Sequence, residues 1–225
     1  MTPMPKLIAT LFLLAAVPGS AQPVACPTGT LTVDAGSDAL RGSLCQSAET
    51  LLARLADCGL PQQRPINIVE VDTVAHPFAD CLAAYDCAFD RIRLVVRDDY
   101  GDLVAADDPY MSFPPEVLIH TLLSHELTHA LIEQNSADRE VPLIDHEYIA
   151  NALELELMDP AWRQTILDHA MLDRPSDSRI DIWIYRMSPR RFAANAWLHF
   201  RQADNGCALI GRLLSGEVSF DAAKP

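Results

Sequence analysis

The sequence predicts one α+β domain, with a small N-terminal sheet followed by a helical half. Two observations lead to this class. Alternating apolar and polar residues at 66–72 and 91–97 indicate strands in the first half of the chain. Apolar runs bounded by prolines indicate successive helices in the second half. Strands first and helices afterwards is the order typical of α+β domains.

Residues 1–21 are predicted to be a secretory signal peptide. Lys6 provides a positive charge, and residues 7–17 form an apolar run that is too short to span a membrane. Small residues close the segment, as signal peptidase requires. A buried N-terminal helix is the alternative. We therefore expect an exported protein, periplasmic or secreted, whose mature chain of residues 22–225 forms a single domain.

The first half of the mature chain is predicted to contain a helix and two strands. Residues 47–57 have helical character, and Cys58 and Gly59 end that stretch. Residues 66–72 alternate in polarity and read as a strand. The second strand, 91–97, places Ile92, Leu94 and Val96 on one face.

Prolines mark the helices of the second half. Pro114-Pro115 opens a helix of about 19 residues that ends near Asn135. The next helix ends before Pro160, and a third helix begins at Pro160. A polar break then precedes the last elements. The predicted helices after the first are 144–158, 160–172, 190–203 and 205–215, and the break is 174–181.

Charge excludes some partners. The formal net charge is −14, so the chain would repel phosphate backbones and anionic lipid. We expect neither nucleic acid nor, once the signal is removed, a membrane as partner. The oligomeric state stays open.

Six cysteines in an exported chain favour three disulfides. Fifteen pairings are possible, and the sequence does not choose among them. Cys45 and Cys58 flank a helix that would hold them about 20 Å apart, so they should not pair. Cys81–Cys87 would close a short loop and is the favoured pair. The cysteines are Cys26, Cys45, Cys58, Cys81, Cys87 and Cys207.

The motif that carries chemistry is His125-Glu126-Leu127-Thr128-His129. On a helix, His125 and His129 lie one turn apart on one face, where both can bind one metal ion at ~2.0–2.1 Å. Glu126 lies about 100° round the helix, beside the metal, where it can act as general base towards water. The rest of this helix is largely apolar and should be buried, and a metal ion would explain buried imidazoles. A pair of satisfied core histidines beside an unrelated salt bridge is the structural alternative.

The next helix offers the third ligand. With its Glu147 and, four residues later, Asn151, the stretch from 122 to 151 resembles the gluzincin metallopeptidases. The resemblance implies a zincin-like fold, zinc bound by His125, His129 and Glu147, Glu126 as catalytic base, and Asn151 supporting a ligand histidine.

Other ligand sets remain open. His146 could replace Glu147, although only Glu147 has a polar partner four residues on. Glu147, Asn151 and Glu154 could instead form a solvated stripe. Peptide deformylase also carries this histidine motif with an upstream cysteine ligand, which would be Cys81 or Cys87 here.

The sequence thus predicts an exported zinc-dependent hydrolase that cleaves peptide or protein substrates. The alternative is a secreted metal-binding or interaction protein of the same fold without turnover. The oxyanion of such a reaction needs a further donor. Candidates are Tyr148, His169, Tyr185 and His199, and the strand 91–97 is the expected sheet edge beside the site.

Overall fold

The computed structural model describes residues 23–75, 81–137, 139–203 and 206–221. The predicted signal peptide therefore lies outside the described residues. Within them, one five-stranded sheet has the order β1-β2-β3-β5-β4, in which β2, β3 and β5 are parallel and the two outer strands antiparallel. The strands are β1 (Val24–Ala25), β2 (Leu31–Asp34), β3 (Ile66–Val71), β4 (Ala83–Asp86) and β5 (Arg91–Val95).

Seven α-helices accompany this sheet in the described part of the chain. Two short 3-10 turns, Pro109–Ser112 and Asp177–Arg179, precede α2 and α5. The helices are α1 (Asp38–Asp57), α2 (Pro115–Asn135), α3 (Leu143–Leu157), α4 (Pro160–Ala170), α5 (Ile182–Met187), α6 (Pro189–Gln202) and α7 (Gly206–Ser215). The predicted α+β arrangement, with a small N-terminal sheet and a helical second half, is confirmed.

The helix whose bounds differ most from the prediction is α1. It begins nine residues earlier than expected, where the Ser37 side chain accepts a hydrogen bond from the Leu40 N–H at 3.1 Å and caps the helix. Its first turns are polar, with Leu44 as their first buried apolar residue, so apolar periodicity did not reveal them. The helix crosses from β2 to the parallel strand β3.

The main core lies between one face of the sheet and the helices. Ile66 and Ile68 on β3 and Ile92 and Leu94 on β5 are fully buried, as their alternation predicts. They meet apolar residues of α1 and α2, while α3 packs on α2 and α6 packs on α3. As a result, α2 is buried on most sides, which agrees with its nearly continuous apolar sequence.

Two disulfides close the fold. Cys26–Cys45 joins the β1 segment to α1, and Cys58–Cys207 joins the end of α1 to the start of α7. Cys45 and Cys58 do not pair, as expected. The favoured pair Cys81–Cys87 is wrong, and with it the expectation of three disulfides, because both side chains are thiols.

The physical reason is the strand between those two thiols. β4 keeps residues 81 and 87 apart along an extended path of roughly 20 Å. A disulfide allows no more than about 7 Å between Cα atoms. Among the described helices, none has the length and apolar character that a membrane crossing requires.

Candidate metal centre

Helix α2 presents the two motif histidines side by side. Their Nε2 atoms lie 3.1 Å apart, and the ring centroids of His125 and His129 are separated by 4.8 Å. This follows from their spacing, because residues four apart stack one turn above each other on a helix. Both side chains are mostly buried but reach the surface.

Helix α3 brings Glu147 to the same point. Its Oε2 is 3.7 Å from Nε2 of His125, and its Oε1 is 3.8 Å from Nε2 of His129. A tetrahedral ion with ligands at ~2.0–2.1 Å needs about 3.3–3.4 Å between ligand atoms, so the spacing fits a metal to within a few tenths of an ångström. These three residues form a group that could hold a metal ion.

Two of the alternative ligand sets do not match this geometry. His146 points to the far side of His129, and its Nδ1 is 3.3 Å from Nδ1 of that residue. Within the described residues, neither Cys81 nor Cys87 belongs to the ligand group. Of the four residues considered from the sequence as a third ligand, only Glu147 lies in the group.

Glu126 lies beside the group and is held by the sheet. Its Oε2 accepts a hydrogen bond from the backbone N–H of Tyr85 on β4 at 2.7 Å. Burial raises the pKa of the Glu126 carboxyl, while the charge of His125 and this hydrogen bond work in the opposite direction. The carboxylate is therefore fixed in orientation at the boundary between α2 and the edge strand.

The expected sheet edge is wrong. β5 pairs with β3 on one side and β4 on the other, so it lies inside the sheet. The edge strand is β4, which contacts α2. Strand β4 is only four residues long and contains two alanines, so its sequence gives little strand signal.

Further polar side chains surround the candidate ligands, and the first of them is Glu154 of α3. Glu154 accepts from Nδ1 of His125 at 2.8 Å, and the Tyr110 hydroxyl donates to its other oxygen. The guanidinium of Arg190 lies 3.4 Å from the centroid of the Tyr110 ring, and its Nε is 3.0 Å from both oxygens of Asp108. This network links the 3-10 turn before α2 to the candidate metal centre.

The solvated-stripe alternative is wrong. Glu147, Asn151 and Glu154 are 6%, 4% and 4% exposed. The amide of Asn151 donates to the carbonyl oxygen of Glu147 at 2.8 Å, and it lies 3.4 Å from Oε2 of the same residue. Asn151 therefore supports Glu147 itself, and Glu154 takes the place beside a ligand histidine that the resemblance implied for Asn151.

Sequence reasoning missed Glu154 as a partner of His125, although its spacing carries a signal. Glu154 follows Glu147 by seven residues, which is two helical turns, so both point to the same side of α3. Tyr110 and Arg190 carry no such signal, because the packing of distant segments brings them together.

The four candidate oxyanion donors lie in different places. Tyr185 on α5 is hydrogen-bonded to Glu147, and burial followed by that carboxylate raises its pKa. The Tyr148 hydroxyl is 2.8 Å from Nδ1 of His199, in a contact that also involves aromatic packing. His169 is exposed on α4. Only Tyr185 contacts the ligand group.

The surroundings of the two histidines favour a proton on His125 and disfavour one on His129. Burial lowers the pKa of His129 well below its usual value, and His125 and His146 add to this effect. Burial opposes a charge on His125, but the hydrogen bond and charge of Glu154, together with two further carboxylates, outweigh it and raise the pKa to about 9. Burial raises the pKa of Glu147 to about 7. A metal ion entering the group would displace the proton on His125.

Fold and site together define an α+β protein with a largely buried group of two histidines and one glutamate that could hold a metal ion. The family of unknown function DUF6639 matches residues 31–223, and the chain belongs to that family. No curated protein and no solved structure matches the chain.

Proposed function

We propose that this protein is an exported zinc-dependent metallopeptidase. The observation that carries the proposal is the ligand group of His125, His129 and Glu147 with a fourth residue, Glu126, fixed beside it. Catalytic zinc sites combine three such side chains with an open position for water. Two core histidines with a purely structural role would need neither the carboxylate of Glu147 beside both rings nor the carboxylate of Glu126 next to the group.

Zinc is the metal that suits this donor set. Two imidazole nitrogens and one carboxylate oxygen, close to tetrahedral spacing, are typical of catalytic zinc. When bound, zinc would polarise a carbonyl and lower the pKa of a water molecule to ~7. His125 would be held in the correct orientation by Glu154, as ligand histidines usually are.

Glu126 is the residue that would move protons. Its carboxylate accepts the proton of the attacking water and then delivers it to the leaving nitrogen. The N–H of Tyr85 holds one oxygen and leaves the other for this task. Because burial raises the carboxyl pKa, Glu126 is a better proton acceptor than an exposed glutamate.

Tyr185 and β4 would bind the substrate. The Tyr185 hydroxyl, which is bonded to Glu147, is the candidate donor to the oxyanion that develops on the scissile carbonyl. β4 is antiparallel to β5 and is the outermost strand of the described sheet on the side of α2, so an extended peptide could pair with the part of β4 that is not already bonded to Glu126. This supports a peptide or protein as the substrate.

Two further parts of the proposal concern fold type and location. An antiparallel edge strand beside the helix that bears the histidine motif, with a glutamate on the following helix, supports a zincin-like fold. Two disulfides favour an oxidising compartment, in line with the signal-like segment 1–21. The net charge of −14 disfavours nucleic acid and anionic membranes as partners.

Cleavage of a diverse peptide library, read by mass spectrometry, tests the proposal. The protein would be the disulfide-bonded chain from residue 22 onward, supplied with zinc. Wild type would be compared with Glu126→Gln and with Glu116→Gln, which changes an exposed glutamate on the same helix. We expect cleavage by wild type and by the Glu116 variant, and a loss of about 10²–10⁴-fold in the Glu126 variant.

Two outcomes would contradict the proposal. Equal cleavage by the Glu126 variant would place the catalytic base elsewhere. Stoichiometric metal without cleavage of any peptide would favour the metal-binding protein without turnover.

A further inference from the structure

Three side chains form a row that begins at His129 of the ligand group and continues through His146 to Glu133. Nδ1 of His129 lies 3.3 Å from Nδ1 of His146, and Nε2 of His146 lies 3.3 Å from Oε1 of Glu133. The planes of the two imidazole rings are inclined by 27°, and their centroids are 5.5 Å apart, which suits a hydrogen bond between the ring edges. The row therefore runs from the candidate metal centre to a carboxylate near the surface.

The chemistry of the ligand group gives this row a direction. Nε2 of His129 faces Nε2 of His125 at 3.1 Å and Oε1 of Glu147 at 3.8 Å, so it is the metal-binding nitrogen. A neutral imidazole that binds a metal through Nε2 carries its proton on Nδ1. The atom facing that proton is Nδ1 of His146, which must then act as the acceptor.

The same reasoning fixes the tautomer of His146. If Nδ1 of His146 accepts, its own proton is on Nε2, and that atom faces the carboxylate of Glu133. Every donor in the row then meets an acceptor. The opposite tautomer of His146 would place two protons between the histidines and none towards Glu133.

We propose that His146 is a positioning residue of the metal centre, which holds His129 in the orientation and tautomer that metal binding requires. The proposal rests on the metal site proposed above. It also explains why His146 and Glu147 are adjacent in α3. Neighbours on a helix diverge by about 100°, so one binds in the group while the other contacts the far side of a ligand histidine.

The two outer members of the row should contribute unequally. The His146 side chain is 12% exposed and contacts His129 through Nδ1, whereas the Glu133 side chain is 42% exposed. A hydrogen bond to an exposed carboxylate is weakened by competing water. His146 should therefore carry most of the effect on metal affinity, and Glu133 a smaller part.

Metal affinity, measured by competition between the protein and a chromogenic chelator for Zn²⁺, tests the proposal without requiring activity. The variants are His146→Leu, which removes the acceptor, and His146→Asn, whose side-chain oxygen can occupy the place of Nδ1. Glu133→Gln tests the outer carboxylate. The matched control is His120→Leu, since His120 lies on the same helix as His129 and is bonded to Ser47, outside the ligand group.

We expect His146→Leu to bind Zn²⁺ about 10- to 100-fold more weakly than wild type with unchanged stoichiometry. His146→Asn should regain most of the affinity, which a merely space-filling role for His146 would not produce. Glu133→Gln should weaken Zn²⁺ binding by roughly a few-fold, and His120→Leu should leave Zn²⁺ binding unchanged. The absorption spectrum of bound Co²⁺ should shift in His146→Leu and return towards wild type in His146→Asn.

The failures of the two proposals are distinguishable. If wild type does not bind metal, the metal site itself is refuted. If wild type binds and His146→Leu keeps its affinity and Co²⁺ spectrum, only the positioning role is overturned. If both His146 variants lose metal completely at saturating Zn²⁺, His146 is a ligand and the positioning role is again overturned.

Discussion

Removal of the Cys58–Cys207 disulfide should destabilise the protein more than removal of Cys26–Cys45. The two bonds close loops with sequence separations of 149 and 19 residues. Loop-closure entropy in the unfolded chain then gives about 5 kcal/mol for the longer loop and about 3 kcal/mol for the shorter one. The loops do not overlap along the chain, so the two contributions should be nearly additive.

Urea unfolding followed by circular dichroism measures these free energies. The variants are the paired alanine substitutions at each bridge, and Cys87→Ala, which changes an exposed thiol, is the control. We expect the Cys58/Cys207 variant to lose about 2 kcal/mol more than the Cys26/Cys45 variant, and the control to stay within about 0.5 kcal/mol of wild type. Losses below about 1 kcal/mol for both pairs, or the reverse order, would refute the pairing or the loop-entropy argument.

Three further predictions concern the metal centre. Glu154→Gln removes the carboxylate that orients His125, and chelator competition should show Zn²⁺ affinity lowered by about 10- to 100-fold; wild-type affinity would contradict that role. The pKa of His125 is raised to about 9, and a metal ion must displace the proton of this histidine. Zn²⁺ affinity should therefore rise by about tenfold per pH unit between pH 7 and pH 9. A flat profile would show that this histidine carries no proton. Tyr185→Phe should slow peptide cleavage by about 10²–10³-fold at unchanged metal content, whereas an unchanged rate would exclude Tyr185 as the oxyanion donor.

The helices around the site could be predicted because their ends carry local signals. Pro114-Pro115 and Pro160 mark ends of α2, α3 and α4 within a few residues. The strands β3 and β5 were found from alternation, since one face of each is buried. β2 and β4 were not found, because four residues with two inward side chains give too short a pattern.

The candidate site could be predicted where its residues share one helix. His125 and His129 are brought together by helical spacing alone, and Glu126 follows from the same geometry. Glu147 needed the resemblance to gluzincins. The contact of Tyr85 with Glu126 depends on where the sheet edge meets α2, which the sequence does not state.

Long-range pairings lay beyond sequence reasoning for a related cause. Cys58 and Cys207 meet because α7 returns to the end of α1, and no local pattern records that return. Tyr110 meets Glu154 for the same reason, since a turn before α2 packs on α3. Such contacts follow from the assembled core.

The most direct test of the central claim is the metal content per chain, measured by mass spectrometry. Disulfide-bonded protein would be reconstituted with Zn²⁺ as wild type, His129→Ala and Glu147→Ala. We expect about one zinc ion per wild-type chain and almost none in either variant, because each ligand atom of the group is needed. Wild-type protein that holds no zinc after reconstitution would contradict the metal centre and, with it, the proposed peptidase.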